Sequence, residues 1–210
     1  METILYKGFL IGILVSAPMG PIGLLCIQRT LNKGRWHGFA SGLGATVSDA
    51  IYALLTCLGM SFIFDFIQNN QDILQLAGSL LLMFFGVYTY RSNPSKNLKK
   101  PQEGLNTYSQ DAITAFFLTL SNPFVIFLFI ALFARFNFIS SEDTLFSVFV
   151  GLLGIVLGAL CWWFIITGLI GKLRSSFNLR GLWIMNRVVG SVIIVLAIFG
   201  AAYTIYERFF

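Results

Sequence analysis

One carboxylate, Asp49, lies deep in the apolar stretch Gly42-Leu43-Gly44-Ala45-Thr46-Val47-Ser48-Asp49. Counted from Phe39, it lies ten residues in, about 15 Å at 1.5 Å per residue and so near the middle of a bilayer. An acid there costs a few kcal/mol and tends to mark a solute or proton path. Asp49 can pair with an amine, or carry a proton by alternating between charged and neutral forms. The plainer reading is a hydrogen-bonded Asp that ties one helix to its neighbours. Apart from Asp65 at the outer end of the same run, no Asp or Glu lies inside an apolar run, and nothing basic is expected at that depth.

Two interruptions share this depth. The first is Ser16-Ala17-Pro18-Met19-Gly20-Pro21-Ile22-Gly23 and the second Ser121-Asn122-Pro123. Proline removes a backbone donor and clashes with the preceding turn. The run from Pro18 to Gly23 should therefore unwind a helix and free its amides and carbonyls. In lipid such groups must face protein or a wet cavity. The new helix start near Pro21 would offer free amides and partial positive charge to an anion such as a carboxylate. Pro18, Gly20, Pro21 and Gly23, with Asn122 and Pro123, are thus candidates alongside Asp49. A packing kink is the competing reading for either break alone, and the repetition weakens it.

The other chemistry-bearing residues point less far. Trp162 and Trp163 stand deeper than an interfacial belt would put them, and Trp162 could meet an amine by a cation–π contact, although packing explains it as well. Cys26, Cys57 and Cys161 sit in apolar runs without a CxxC spacing, so buried inert thiols are the default. The one histidine, His37, lies beside Trp36 in a polar connection. No Ser or Cys nucleophile has a base nearby, so an enzyme is not expected, nor are a metal centre or a cofactor.

These residues need a lipid-immersed scaffold. Of the 210 residues, 57% are hydrophobic and 11% charged, against about 25% charged in a soluble domain. Apolar runs occupy 6–31, 39–66, 73–90, 112–134, 145–170 and 183–206, each near the roughly 20 residues that cross a bilayer. The expected fold is an all-α integral membrane protein of six transmembrane helices, the first and fourth broken, with the lipid bilayer as its solvent. It forms a single membrane domain over 1–210. A first repeat (1–90) and a second (112–210) flank a cytoplasmic linker (91–111), and three helices per half permit two inverted repeats.

The net charge of +5 is not a nucleic-acid footprint, because Lys and Arg fall in short gaps and form no basic face. Alternate connections collect most of them, which makes that side cytoplasmic and places both termini outside. The N-terminal apolar run continues past Ser16 and Ala17 into Pro18 and reads as the first helix rather than a cleaved signal. Trp36 and Trp183 read as interface anchors. Gly8/Gly12, Gly38/Gly42 and Gly154/Gly158 have GxxxG spacing, which permits close helix approach within the bundle or between two chains.

With Pro18-Met19-Gly20-Pro21, Gly34-Arg35 followed by Gly38 and by Gly42-Leu43-Gly44 leading to Asp49, and Asn122-Pro123 followed by Phe127-Leu128-Phe129, the chain resembles the LysE/RhtB family of amino-acid exporters over nearly its whole length. The resemblance implies six helices in two inverted halves, often as a homodimer, in a bacterial inner membrane, exporting amino acids or small derivatives in exchange for protons. Two positions depart from the pattern: Ser48 stands where the family often has Gly, and Phe124 where it often has Lys after Asn-Pro. Losing that cation leaves the substrate class open. The alternatives are a divalent metal-cation exporter, with Asp49 and freed carbonyls as hard ligands, and an intramembrane thiol electron carrier, which needs two bridgeable cysteines.

Overall fold

The computed structural model describes residues 2–18, 20–62, 71–91, 107–122, 124–139, 143–172 and 179–209, and among them all regular structure is α-helix. Eight helices follow in order: α1 (Glu2–Ser16), α2 (Pro21–Lys33), α3 (Arg35–Phe62), α4 (Gln71–Arg91), α5 (Tyr108–Leu120), α6 (Phe124–Phe136), α7 (Leu145–Lys172) and α8 (Leu179–Phe209). Helices α3, α4, α7 and α8 are each long and apolar enough to cross a membrane. The pairs α1/α2 and α5/α6 are bent by 78° and 72° at their breaks, and each would make one further span, up to six in all. The chain is a multi-pass membrane protein whose broken elements coincide with the first and fourth apolar runs. Pro123 and most of the 91–111 linker lie outside the described residues.

In lipid no hydrophobic force drives helices together, so close backbone approach and van der Waals packing must do so. Glycine supplies that approach here. A Cβ on Gly8 would strike the Gly151 carbonyl and one on Gly12 the Ile155 carbonyl, while Gly154 and Gly158 press on the backbone of Leu5 and Phe9. Both GxxxG pairs are therefore spent on the α1–α7 contact inside the chain. Gly44 meets the Ala112 carbonyl between α3 and α5, and Gly86 and Gly190 face each other between α4 and α8.

α1 packs along α7, α5 along α3 and α4 along α8, while α3 and α7 meet between the first two pairs. The second halves of the broken spans diverge: α2 lies against α3, and α6 lies against α4. Large aromatic side chains fill the centre, with Phe129 edge-on to Phe133 and Phe133 stacked on Phe138 at 4.4 Å between centroids. A second, smaller cluster gathers Leu24, Cys26 and Ile27 of α2 with Ala45 and Trp163.

Helices α2 and α3 are joined through Gly34 alone. Its φ of +106° lies where L side chains are strained, and its N–H donates to the Thr30 carbonyl at 3.1 Å. This turn folds the end of α2 back onto the start of α3.

Candidate functional site

Helix α3 carries three polar side chains within five residues that reach both broken spans. Asp49 is buried, 5% exposed, and its Oδ2 lies 3.5 Å from the hydroxyl of Ser16, the last residue of α1. Ser48 donates to the Phe116 carbonyl at 2.7 Å and Tyr52 to the Leu120 carbonyl at 2.6 Å, both in the last turns of α5. Leu120 is the final residue of α5, so its carbonyl has lost the amide four residues on, and the Tyr52 hydroxyl replaces that partner. Asp49 and Ser48 thus join the ends of α1 and α5 through α3.

The first break is built as its prolines dictate. The Ala17 amide still bonds the Ile13 carbonyl at 2.8 Å, and the Gly20 amide turns back to the Pro18 carbonyl at 2.8 Å. α2 then starts with Gly20 as N-cap and Pro21 in its first turn, without a side-chain cap. The Leu24 amide bonds back to the Gly20 carbonyl at 3.0 Å. Pro21 has no N–H, so the missing donor of this first turn costs the helix nothing. A Cβ on Gly20 would meet nothing within 4 Å, so there is room before the cap, while Gly23 is buried and Pro18 half-buried.

The second break is capped differently. Asn122 Oδ1 accepts the Phe124 amide at 3.2 Å, so this side chain serves the first turn of α6. Phe124, standing where the family often has Lys, is 61% exposed. Trp162 lies half-buried between the two apolar clusters and Trp163 is buried, its ring seated on Gly42. Neither indole Nε1 has an acceptor among the described residues.

A second polar assembly is not anticipated by the sequence reading, which starts the fourth span at Ala112 and leaves Asp111 in the linker. Asp111 is fully buried in the first turn of α5. Its Oδ1 contacts Arg29 Nε at 3.0 Å and Lys33 Nζ at 3.8 Å, and its Oδ2 meets His37 Nδ1 at 2.7 Å. Arg29, 8% exposed, also donates from one terminal nitrogen to the Ser41 hydroxyl and the Asp111 carbonyl, both at 2.7 Å. The tight Gly34 turn brings Arg29, Lys33, His37 and Ser41 to one edge of the α2–α3 pair. The local signal is Thr107-Tyr108-Ser109-Gln110: Thr107 and Gln110 form a capping box that starts α5, and Asp111 lies one residue further in. A capping box followed by an acid in the first turn marks a helix start. The identity of the cations it meets has no sequence signal.

Cys26 and Cys57 fall in separate buried clusters, and no group of three His, Cys, Asp or Glu side chains that could hold a metal occurs among the described residues. Trp36 and Trp183 each lie near an arginine, with Arg35 5.2 Å from the first ring and Arg187 3.7 Å from the second.

A family model described as "LysE type translocator" matches residues 13–203. A Bacillus subtilis (strain 168) protein named "Putative amino acid efflux protein YcgF" is 27% identical over 82% of this chain and 84% of its own length. The "Uncharacterized membrane protein YahN" of Escherichia coli (strain K12) is 23% identical over 82% of this chain and 77% of its own. The "Leucine efflux protein" of Salmonella typhimurium is 21% identical over 69% of each. No solved structure matches the chain.

Proposed function

The chain belongs to the LysE type translocator family, and on that premise we propose that it is a secondary transporter exporting amino acids or small amino-acid derivatives from the cytoplasm, in exchange for protons. Family membership speaks for a transporter rather than an enzyme. The names of the relatives, one an amino acid and one a leucine efflux protein, support amino acids as the solute class.

The observation that carries the mechanism is the buried Asp49 beside Ser16 at the end of α1. In this reading Asp49 holds the solute's amine or the exchanged proton, and the Pro18 to Gly23 break, with Gly20 and Pro21 opening α2, holds its carboxylate. Ser48, Asn122 and Pro123 shape the facing break, and Trp162 closes the side toward α7. A charged amine and a proton compete for one carboxylate, so binding one releases the other. Exchange follows when the empty, ionised site does not reorient, a movement that a bare carboxylate in low dielectric disfavours.

Alternating access would come from two inverted three-helix repeats, 1–90 and 112–210, moving about this centre. The exchange of partners between halves, α1 on α7 and α5 on α3, with α4 on α8, supports that symmetry. The divergence of α2 toward α3 and α6 toward α4 is the asymmetry expected when the two sides of a transporter are not equally open. The charge distribution supports an inner-membrane protein with both termini outside. A homodimer, in this reading, would use surfaces other than the glycine pairs already filled by α1 and α7.

The test is efflux from vesicles loaded with labelled amino acids under an imposed proton gradient. Selective efflux should be lost in Asp49→Asn, which keeps the shape and a hydrogen-bonding group but not the charge. Undiminished efflux through a well-folded Asp49→Asn protein would sink the assignment of the acid. Efflux of divalent cations without amino acids would favour the metal reading instead.

A further inference from the structure

The α1–α7 contact runs in parallel register, with Gly8 on Gly151 and Gly12 on Ile155. Continued by one turn to the end of α1, it sets Ser16 level with Ala159, with Trp162 and Trp163 one turn further along α7. The tryptophans also lie beside the start of α2: Leu24 shares the buried cluster of Trp163, and Ile22 and Trp162 pack against it. Trp163 is 2% exposed. Its Nε1 and that of Trp162 are covered yet have no acceptor among the described residues.

An indole N–H can only donate, and a buried donor without an acceptor is disfavoured, most of all in a low dielectric. Two such donors side by side on α7 are unexpected in a packed helix, where tryptophan in a core normally finds a partner. Next to them the α2 start keeps the Ile22 and Gly23 amides without a side-chain cap, and the space before Gly20 is open. Two indole donors without an acceptor among the described residues therefore lie in or against the cluster that holds the start of α2. A carboxylate has two oxygens and about four acceptor sites.

We propose that the indole N–H groups of Trp162 and Trp163 complete, with the first turn of α2, the receptor for the transported solute's carboxylate. The proposal rests on the amino-acid export reading and deepens it. It gives the tryptophans a hydrogen-bonding role in place of an aromatic face for the amine, and it makes the free carboxylate a requirement for recognition. Asp49 lies seven residues after Gly42, on which Trp163 is seated, and so two turns along the same face of α3. The acid instead reaches the break at Ser16, where it is left for the amine of the same solute.

The experiment uses the full chain in lipid nanodiscs with nitrogen-15 in its four tryptophans, probed with L-leucine, L-threonine and L-lysine and with the corresponding amides, which keep the amine and lose the carboxylate. The Trp162 and Trp163 indole resonances should shift with a transported amino acid and not with its amide, while Trp36 and Trp183 stay in place as internal references. In vesicles Trp163→Phe should raise the half-saturating concentration of the amino acid roughly tenfold, the scale of one lost hydrogen bond to a charged group, and leave inhibition by the amide unchanged. Unmoved indole resonances for an amino acid that wild type transports would overturn the proposal and spare the export reading. Equal weakening toward amino acid and amide would overturn it too, since that is what lost packing gives. If wild type moves none of the panel, the export reading fails and this one falls with it.

Discussion

Arg29 and Asp111, 82 residues apart, close a buried ion pair with Nε and Oδ1 3.0 Å apart, which joins the end of the first broken span to the start of the second. Lys33 and His37 flank the same carboxylate. The link holds α2, α3 and α5 at one end of the bundle, opposite in sequence terms to the breaks at the other ends of α2 and α5.

Removing one partner of a buried pair leaves the other charge uncompensated, at a cost of about 3–5 kcal/mol. Asp111→Asn should therefore lower the thermal midpoint of the detergent-solubilised protein steeply. Arg29→Leu combined with Asp111→Leu should lose much less than the sum of the single changes. Additive losses, measured by scanning fluorimetry, would show that the two side chains do not act as a pair.

Ser16→Ala should change little. At 3.5 Å its hydroxyl is at the outer limit of a hydrogen bond to Asp49, so efflux should fall by at most a few-fold, far less than for Asp49→Asn. A loss as complete as that of Asp49→Asn would mean the hydroxyl, rather than the acid alone, handles the exchanged species.

Tyr52→Phe strips the donor from the Leu120 carbonyl, freed where α5 ends. Interhelical hydrogen bonds in membranes are worth about 0.6 kcal/mol, rising to about 1.7. A loss in that range, read from unfolding in mixed micelles, is the expected result, with faster hydrogen exchange at the end of α5.

Two glycine substitutions should part company. Gly12→Ala puts a methyl into the Ile155 carbonyl and should separate α1 from α7, cutting the yield of folded protein. Gly20→Ala meets nothing within 4 Å, and its backbone, φ −76° and ψ −163°, suits any L residue, so the fold should survive. Comparable yields for the two would contradict the close α1–α7 approach.

Gly34→Ala forces an L side chain to φ +106° and ψ +166°, a nearly glycine-only region that costs on the order of 1–3 kcal/mol. The damage should reach the Arg29 cluster, because that turn sets Arg29 against Ser41 and His37. A midpoint unchanged from wild type would show that the turn has another accessible conformation.

The apolar runs and the two breaks were legible in the sequence because each is local: run length measures the bilayer, and proline and glycine unwind the backbone where they stand. The amino-acid resemblance rested on those same local motifs, and the family match bears it out. What the GxxxG pairs pack against was not legible, since small residues permit close approach without naming a partner. Only the tertiary structure spent Gly8, Gly12, Gly154 and Gly158 within the chain. It alone turned Asp111 from a linker residue into the centre of an ionic cluster, because burial and charge pairing depend on which helices meet. It likewise left the Trp162 and Trp163 indoles without acceptors beside α2, a condition that arises only when distant segments are packed together.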